Sequence, residues 1–228
     1  GPTSSTLPSW RSAVEILRKY SLWDRCPERI RLYLELQKAN SPLQELFKRE
    51  FQQPQNLVIA SNRISLDAAM EQAAHEGFAT TMISDQMEGE ASEVGLTLSR
   101  KFSDYINQGR LKRPVMWVGG GETTVTIRGN GKGGRNQELA LAAVEPMAGL
   151  ADVALITLAT DGEDGPTDAA GAIVTGDTYA RGKQNSMIPS DYLAINNSYE
   201  YFDQLNSLIR LGPTGTNVND LCFLFAYD

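Results

Sequence analysis

"GGGETTVTIRGNGKGGRNQELA", residues 119–140, places seven of the chain's twenty glycines between Gly119 and Gly134 and then runs straight into good helix formers. Upstream, "RPVMWVGGGE" reads as a strand that ends in the first three glycines. Within the stretch, "TTVTIR" alternates polar and apolar side chains, the pattern of a half-exposed strand. Downstream, "RNQELALAAVEPM" reads as a helix. Strand, glycine-rich turn and helix in this order form a unit of a layered α/β protein.

The same rhythm extends both ways. Toward the amino terminus, "NLVIA" from Asn56 reads as a buried strand, "SLDAAMEQAAHEG" as a helix closed by Gly77, "ATTMIS" as a strand and "GEASEVGLTLSRKFSDYINQG" as a helix. Toward the carboxyl terminus come a buried strand "DVALITLAT", a polar loop "DGEDGPTDAAG", helical pieces over 178–185 and 200–208, and a last strand after "GPTGTNVNDL". Strands alternating with helices predict parallel layering. Residues 11–50 are read as helical: Val14, Ile16, Leu17 and Tyr20 share a face, Pro27 starts a second helix, and Ser41 with Pro42 starts a third. The expected fold is α/β, a layered mixed sheet with helices on both faces and a helical lead-in. The expected division is a lead-in over 1–55, an α/β segment over 56–112 and an α/β domain over 113–228.

Bulk composition narrows the function. At 228 residues the chain can bury a core without staples. A formal net charge of −7 argues against nucleic acid or a membrane surface as partner, since both call for a basic footprint. Local donors can still hold a small anion. Cys26 and Cys222 stand in no ligand spacing and are read as reduced thiols of a cytoplasmic protein. The single histidine, His75, is read as the last-turn residue of its helix, which leaves a Ser-His-Asp triad without a usable base. No apolar run reaches membrane length.

Two motifs nearly fit the glycine stretch. Gly129, Gly131 and Gly134 spell GxGxxG, and Gly129 with Gly134 has P-loop spacing. A P-loop continues with Lys and Ser/Thr, whereas Arg135 and Asn136 stand here. A dinucleotide site needs an acid about 20 residues on, and the next strand ends too late, at Asp161. The shared physics remains: bare N–H groups at a helix start favour an anion. Gly131, Lys132, Gly133, Gly134, Arg135 and Asn136 are therefore candidate phosphate ligands; the alternative is a plain hairpin with solvated charges.

In "ATDGEDGPTDAAG", Asp161, Glu163, Asp164 and Asp168 set four carboxylates within eight residues after a buried strand. A magnesium ion shared with phosphate suits them, turn-forming aspartates are the alternative, and the EF-hand order is absent. Ser61 and Asn62 follow "NLVIA" and either bind ligand or cap a helix. Thr214, Thr216 and Asn217 offer hydroxyl and amide groups, or simply turn chemistry.

Together, "GGGETTVTIRGNGKGGRNQELALA", "TDGEDGPTDAAGA" and "GPTGTNVNDL" resemble the C-terminal half of glycerate 2-kinases, the type that ends in a MOFRL domain. Ala60-Ser61-Asn62 and the opening Gly1-Pro2-Thr3 extend the likeness over most of the chain. The resemblance implies phosphorylation of D-glycerate at its 2-hydroxyl with ATP and magnesium, in a cleft between two α/β domains. It implies that Arg135 meets the transferred phosphate, with Asp161 also catalytic, and that Glu122, Asp161 and Asp164 lie near metal or substrate. Asn197 stands where the family often has Asp, and Ala159 replaces a common Gly. The family's N-terminal domain, with its catalytic lysine, has no counterpart here, so these residues alone are expected to be inactive. An NAD(P)-dependent hydroxypyruvate reductase and a non-catalytic binding or assembly fragment remain the alternatives, and a homodimer is left open.

Overall fold

The computed structural model describes residues 10–36 and 57–227. The Gly1-Pro2-Thr3 motif, Asn56 and the helix expected from Ser41 lie outside them. The chain divides between Ile59 and Ala60 into two compact units.

The first unit holds α1 (Trp10–Lys19) and α2 (Glu28–Leu36), with Pro27 just ahead of α2 as its chemistry requires. Along α1 the half-buried positions are Trp10, Ala13, Val14 and Leu17. That is the i, i+3, i+4, i+7 stripe of an amphipathic helix. Ile16 and Tyr20, expected on the same face, are exposed.

The second unit runs α3 (Asn62–His75), β1 (Ala79–Met87), α4 (Ala91–Asn107), β2 (Val115–Gly121), α5 (Arg135–Ala143), β3 (Val153–Ala159), β4 (Gly171–Thr175), α6 (Thr178–Gln184), α7 (Pro189–Ala194), α8 (Ser198–Gln204), β5 (Leu208–Ile209) and β6 (Asp220–Ala226). Its sheet has the order β1-β2-β6-β3-β4-β5. Only β1 and β2 are parallel; β6 pairs antiparallel with both β2 and β3. The layering is thus mixed, and less parallel than strand–helix alternation predicts. The reason is the last strand, which returns into the middle of the sheet and separates β2 from β3.

Two apolar layers cover the sheet. Along β2, Val115 and Trp117 enter one core while Met116 and Val118 enter the other, the period of two that a strand imposes. Cys222, Leu224 and Ala226 of β6 join the larger core, and Phe223 and Phe225 pack against the smaller one beside Leu66 and Ala73 of α3. Burial raises the Cys222 thiol to about 12, which keeps it protonated and inert.

Helix α5 is buried at every position from Asn136 to Ala143. A helix covered on all sides must have close neighbours. Helix α4 supplies one through Ala91, Gly95 and Ser99, a small-residue seam spaced by four. A Cβ at Gly95 would overlap the carbonyl of Leu139. Gly95→Val is therefore expected to lower stability by about 3 kcal/mol through overpacking. Urea unfolding checks this, and an unchanged midpoint would mean that the two helices separate freely.

Two expected strands are absent. Leu57, Val58 and Ile59 of "NLVIA" form no strand and are 80%, 69% and 85% exposed. "TTVTIR" makes only a single parallel bridge, Thr124 with Glu90. Alternation gives a segment two faces, but a ladder needs a neighbouring strand, and the N–H of Thr126 finds the Glu90 carboxylate at 2.9 Å instead. β4 and α7 had no distinct signal in the sequence.

Candidate functional site

The register of the sheet sets Gly121 at the end of β2 and Ala159 at the end of β3 opposite Asp220 at the start of β6. Three strand ends meet there, and the amino termini of α3 and α5 arrive at the same place. Arg135, the first residue of α5, grips Asp220 with two prongs: Nε to Oδ2 at 2.5 Å and Nη2 to Oδ1 at 3.1 Å. Its Nη1 lies 3.7 Å from Glu122. The hydrogen bond to Asp220, chiefly, raises the Arg135 pKa against the cost of burial. Asp220 escaped notice in the sequence; its one signal was an acid heading the otherwise apolar run "DLCFLFA".

On the other side of Asp220, Asn62 Nδ2 donates to the carbonyls of Val218 and Asp220, both at 2.9 Å. Its Oδ1 is buried without a partner. Gly120 must be glycine here, because a Cβ would occupy the Asn62 side chain. Ser61 caps α3, accepting from the N–H of Ile64 at 3.3 Å.

The glycines from 129 to 134 are bare because the chain presses on itself. A Cβ at Gly129 would strike Ile195, at Gly131 Asn197 and Ile195, at Gly133 Ser198, and at Gly134 the Asp164 carboxylate. The N–H of Gly131 donates to the Ile195 carbonyl at 2.9 Å and that of Lys132 to Asn197 Oδ1 at 3.0 Å. Lys132 Nζ sits 4.1 Å from the centre of the Tyr199 ring. Asn136, expected as a phosphate ligand, is buried, with its N–H and Nδ2 both turned to Asp164. The N–H groups of Gly133, Gly134 and Arg135 have no partner among the described residues. They border a cleft of about 490 Å³ lined also by Glu122, Thr124 and Glu138.

The four acids of 161–168 do not converge. Asp164 is buried and accepts the N–H groups of Asn136 and Gln137 at 3.2 and 2.9 Å. It serves as an internal anion at the start of α5. Asp168 accepts from the Tyr199 hydroxyl at 2.7 Å and pairs with Arg210 at 3.1 Å. Asp161 accepts from Asn217 Nδ2 at 3.1 Å, and its carbonyl accepts from the N–H of Thr214 at 3.0 Å. Thr216 donates to Thr214 Oγ1 at 3.4 Å, so this cluster is knit across two loops. Among the described residues no three of His, Cys, Asp or Glu form a group that could hold a metal.

Burial, more than any other cause, lifts the Asp164 pKa to about 6, with Asp220 adding repulsion and the two N–H groups pulling it down. A raised carboxyl pKa makes the folded state hold its proton longer than the unfolded chain does. The stabilisation is present below about pH 4 and is lost as pH rises to about 6, a change of about 3 kcal/mol. Asp164→Asn is expected to flatten that slope while leaving one α5 N–H unbonded. Urea unfolding at several pH values from 4 to 7 compares the two proteins; parallel slopes would place the titration elsewhere.

Residues 115–220 match the MOFRL family. The chain is 39% identical over 223 residues to the glycerate 2-kinase of Pyrococcus horikoshii, covering 97% of this chain and 50% of that protein. It is 44% identical over 156 residues to the D-glycerate 2-kinase of Thermotoga maritima, covering 68% and 37%. Its fold is similar to a crystal structure of glycerate kinase from Thermotoga maritima, with TM-score 0.80, 34% identity, and coverage of 96% of this chain and 50% of that one. The chain spans about half the length, or less, of the curated relatives it matches.

Proposed function

Residues 115–220 match the MOFRL family, and on that premise we propose that the chain forms part of a glycerate 2-kinase. The reaction passes the γ-phosphoryl group of ATP to the 2-hydroxyl of D-glycerate. The new bond joins the hydroxyl oxygen to phosphorus, the bond from phosphorus to the bridging oxygen of ADP breaks and leaves its electron pair on ADP, and the hydroxyl proton passes to water. The observation that carries this reading is Arg135. Asp220 orients it by two prongs beside the unpartnered N–H groups of Gly133 and Gly134, at the mouth of the cleft.

Phosphoryl transfer is mostly positioning and charge neutralisation. With Asp220 holding Nε and one hydrogen of Nη2, Nη1 remains to meet a phosphate oxygen once Glu122 gives way. The free N–H groups at the start of α5 act with it. Magnesium binding, expected from the acidic loop, fits a looser scheme than a protein cage. Asp164 is engaged inside the fold, while Asp161 accepts only one hydrogen bond on each oxygen, from the N–H of Glu163 at 3.3 Å and Asn217 Nδ2 at 3.1 Å. Its remaining lone pairs, with the exposed Glu122 carboxylate, can serve an ion that also takes phosphate oxygens. Such an ion would spread the charge of the transferred group.

The reductase alternative is disfavoured by the packing of its own fingerprint. Gly129, Gly131 and Gly134 are bare because Ile195, Asn197 and Asp164 press on them, so packing within the chain accounts for their GxGxxG spacing without a dinucleotide. The test joins these residues with the remainder found in the relatives and supplies D-glycerate with ATP, or hydroxypyruvate with NADH. Glycerate-dependent ADP and 2-phosphoglycerate are expected. NADH oxidation in place of ADP release would overturn the reading. Cellular location is proposed to be cytoplasmic; among the described residues no helix is long and apolar enough to cross a membrane.

A further inference from the structure

Asn196 lies in the turn between α7 and α8, buried and at φ 55°. That left-handed conformation suits Asn better than most residues. Its side-chain amide uses its full capacity of two donors and two acceptor sites. Oδ1 accepts from the N–H groups of Arg128 at 2.6 Å and Gly129 at 3.1 Å. Nδ2 donates to the Thr126 carbonyl at 3.2 Å and to Glu138 Oε2 at 3.0 Å. One side chain thus fastens both edges of the 126–129 arm, which leads into Gly131–Arg135. Glu138, one turn into α5, fixes which way the amide points, since a carboxylate there selects the NH₂ end. Both side chains line the same cleft as Gly133, Gly134 and Arg135.

We propose that Asn196 is a positioning residue for the phosphate site: oriented by Glu138, it holds the 126–129 arm so that the unpartnered N–H groups of Gly133, Gly134 and Arg135 stay in place at the cleft. This rests on the kinase reading for its ligand but not for its geometry. The amide cannot be replaced by a carboxylate. Asn196→Asp keeps an acceptor for Arg128 and Gly129, but its second oxygen faces the Thr126 carbonyl and Glu138, both acceptors. Glu138 is already hard to ionise, first because it is buried and then because Glu90 and Asp164 repel it, with Asn196 and Arg128 acting the other way. Two facing carboxylates share one proton readily when acid supplies it. The Asn196→Asp defect should therefore be mended by lowering the pH, whereas a change that simply damaged packing would not be. Glu138→Gln in the same chain supplies an NH₂ group to the new carboxylate, so the double variant should recover without acid.

The test reads the arm directly. Amide-exchange protection of Arg128 and Gly129, normalised to the unstructured rate at each pH, is measured by NMR in the parent, Asn196→Asp and the double variant. Protection is expected to fall at least ten-fold in Asn196→Asp at pH 8, to return near pH 5, and to return at pH 8 in the double variant. Calorimetry with ATP and with inorganic phosphate should show a parallel loss and recovery of affinity. Unchanged protection at pH 8, a loss that neither acid nor Glu138→Gln mends, or lost protection with undiminished affinity would each overturn the proposal. If the parent binds neither ATP nor phosphate, the nucleotide reading falls, while the protection data still decide what Asn196 holds.

Discussion

Arg135→Lys is expected to lower kcat for glycerate-dependent ADP release about a hundred- to a thousand-fold in a complete kinase carrying this chain, the range for loss of one well-aimed donor at a developing charge. The substitution keeps the positive charge, so the loss isolates geometry. A guanidinium can hold Asp220 with Nε and Nη2 and still offer Nη1 outward; an ammonium is a single point that must choose. Lysine at 135 would pair with Asp220, which lies deeper, and leave the cleft without its cation. KM for ATP should change less than kcat if the contact tightens in the transition state. The unfolding midpoint serves as control, because the Arg135–Asp220 pair is also structural: Asp220 is only 7% exposed at its side chain. A lower midpoint with kcat unchanged would make Arg135 a strut and not a participant.

The sequence made this arrangement legible in part. The helix after the glycines, the buried strand before Asp161 and the cap at Ser61 each follow from local rules of propensity, burial and capping, and local rules can be read in a line. The partners of those groups cannot. Asp220 lies 85 positions from Arg135, and it reaches the site because β6 enters the sheet between β2 and β3. Nothing in a list of elements dictates that insertion. The same limit explains the glycines: their number suggested room for a ligand, while most of the room is taken by Ile195, Asn197, Ser198 and Asp164 of the same chain.

The acidic loop shows the converse error. Four carboxylates close in sequence suggested one shared cation, yet a loop can send neighbouring side chains in opposite directions. Asp164 turns inward to the start of α5, Asp168 turns to Tyr199 and Arg210, and Asp161 stays with the 214–217 loop. That the loop follows a buried strand was legible in the sequence; which of its residues touch required the coordinates.

The 228 residues alone are expected to bind ATP weakly and to release no ADP above background with D-glycerate. The argument is one of charge. At the strand ends, Arg135 faces Asp220 and Glu122, with Asp164 close enough to be felt, so its charge is already more than matched before any ligand arrives. Lys132 is drawn onto the Tyr199 ring. A triphosphate brings several further negative charges, and one magnesium ion offsets only part of them. Transfer needs cations on both sides of the reacting phosphoryl group and walls that exclude water, because solvated reactants lose both alignment and electrostatic stabilisation. The chain spans half of the Pyrococcus relative, and on the proposed function the second wall would come from the other half. An ADP-release assay on the isolated chain, with calorimetry beside it, makes the comparison. Adding the other half of the relatives' length in trans should restore turnover in proportion to complex formed. Robust glycerate-dependent turnover from these residues alone would mean that Lys132 leaves Tyr199 to reach the phosphates, and that the cleft closes without help.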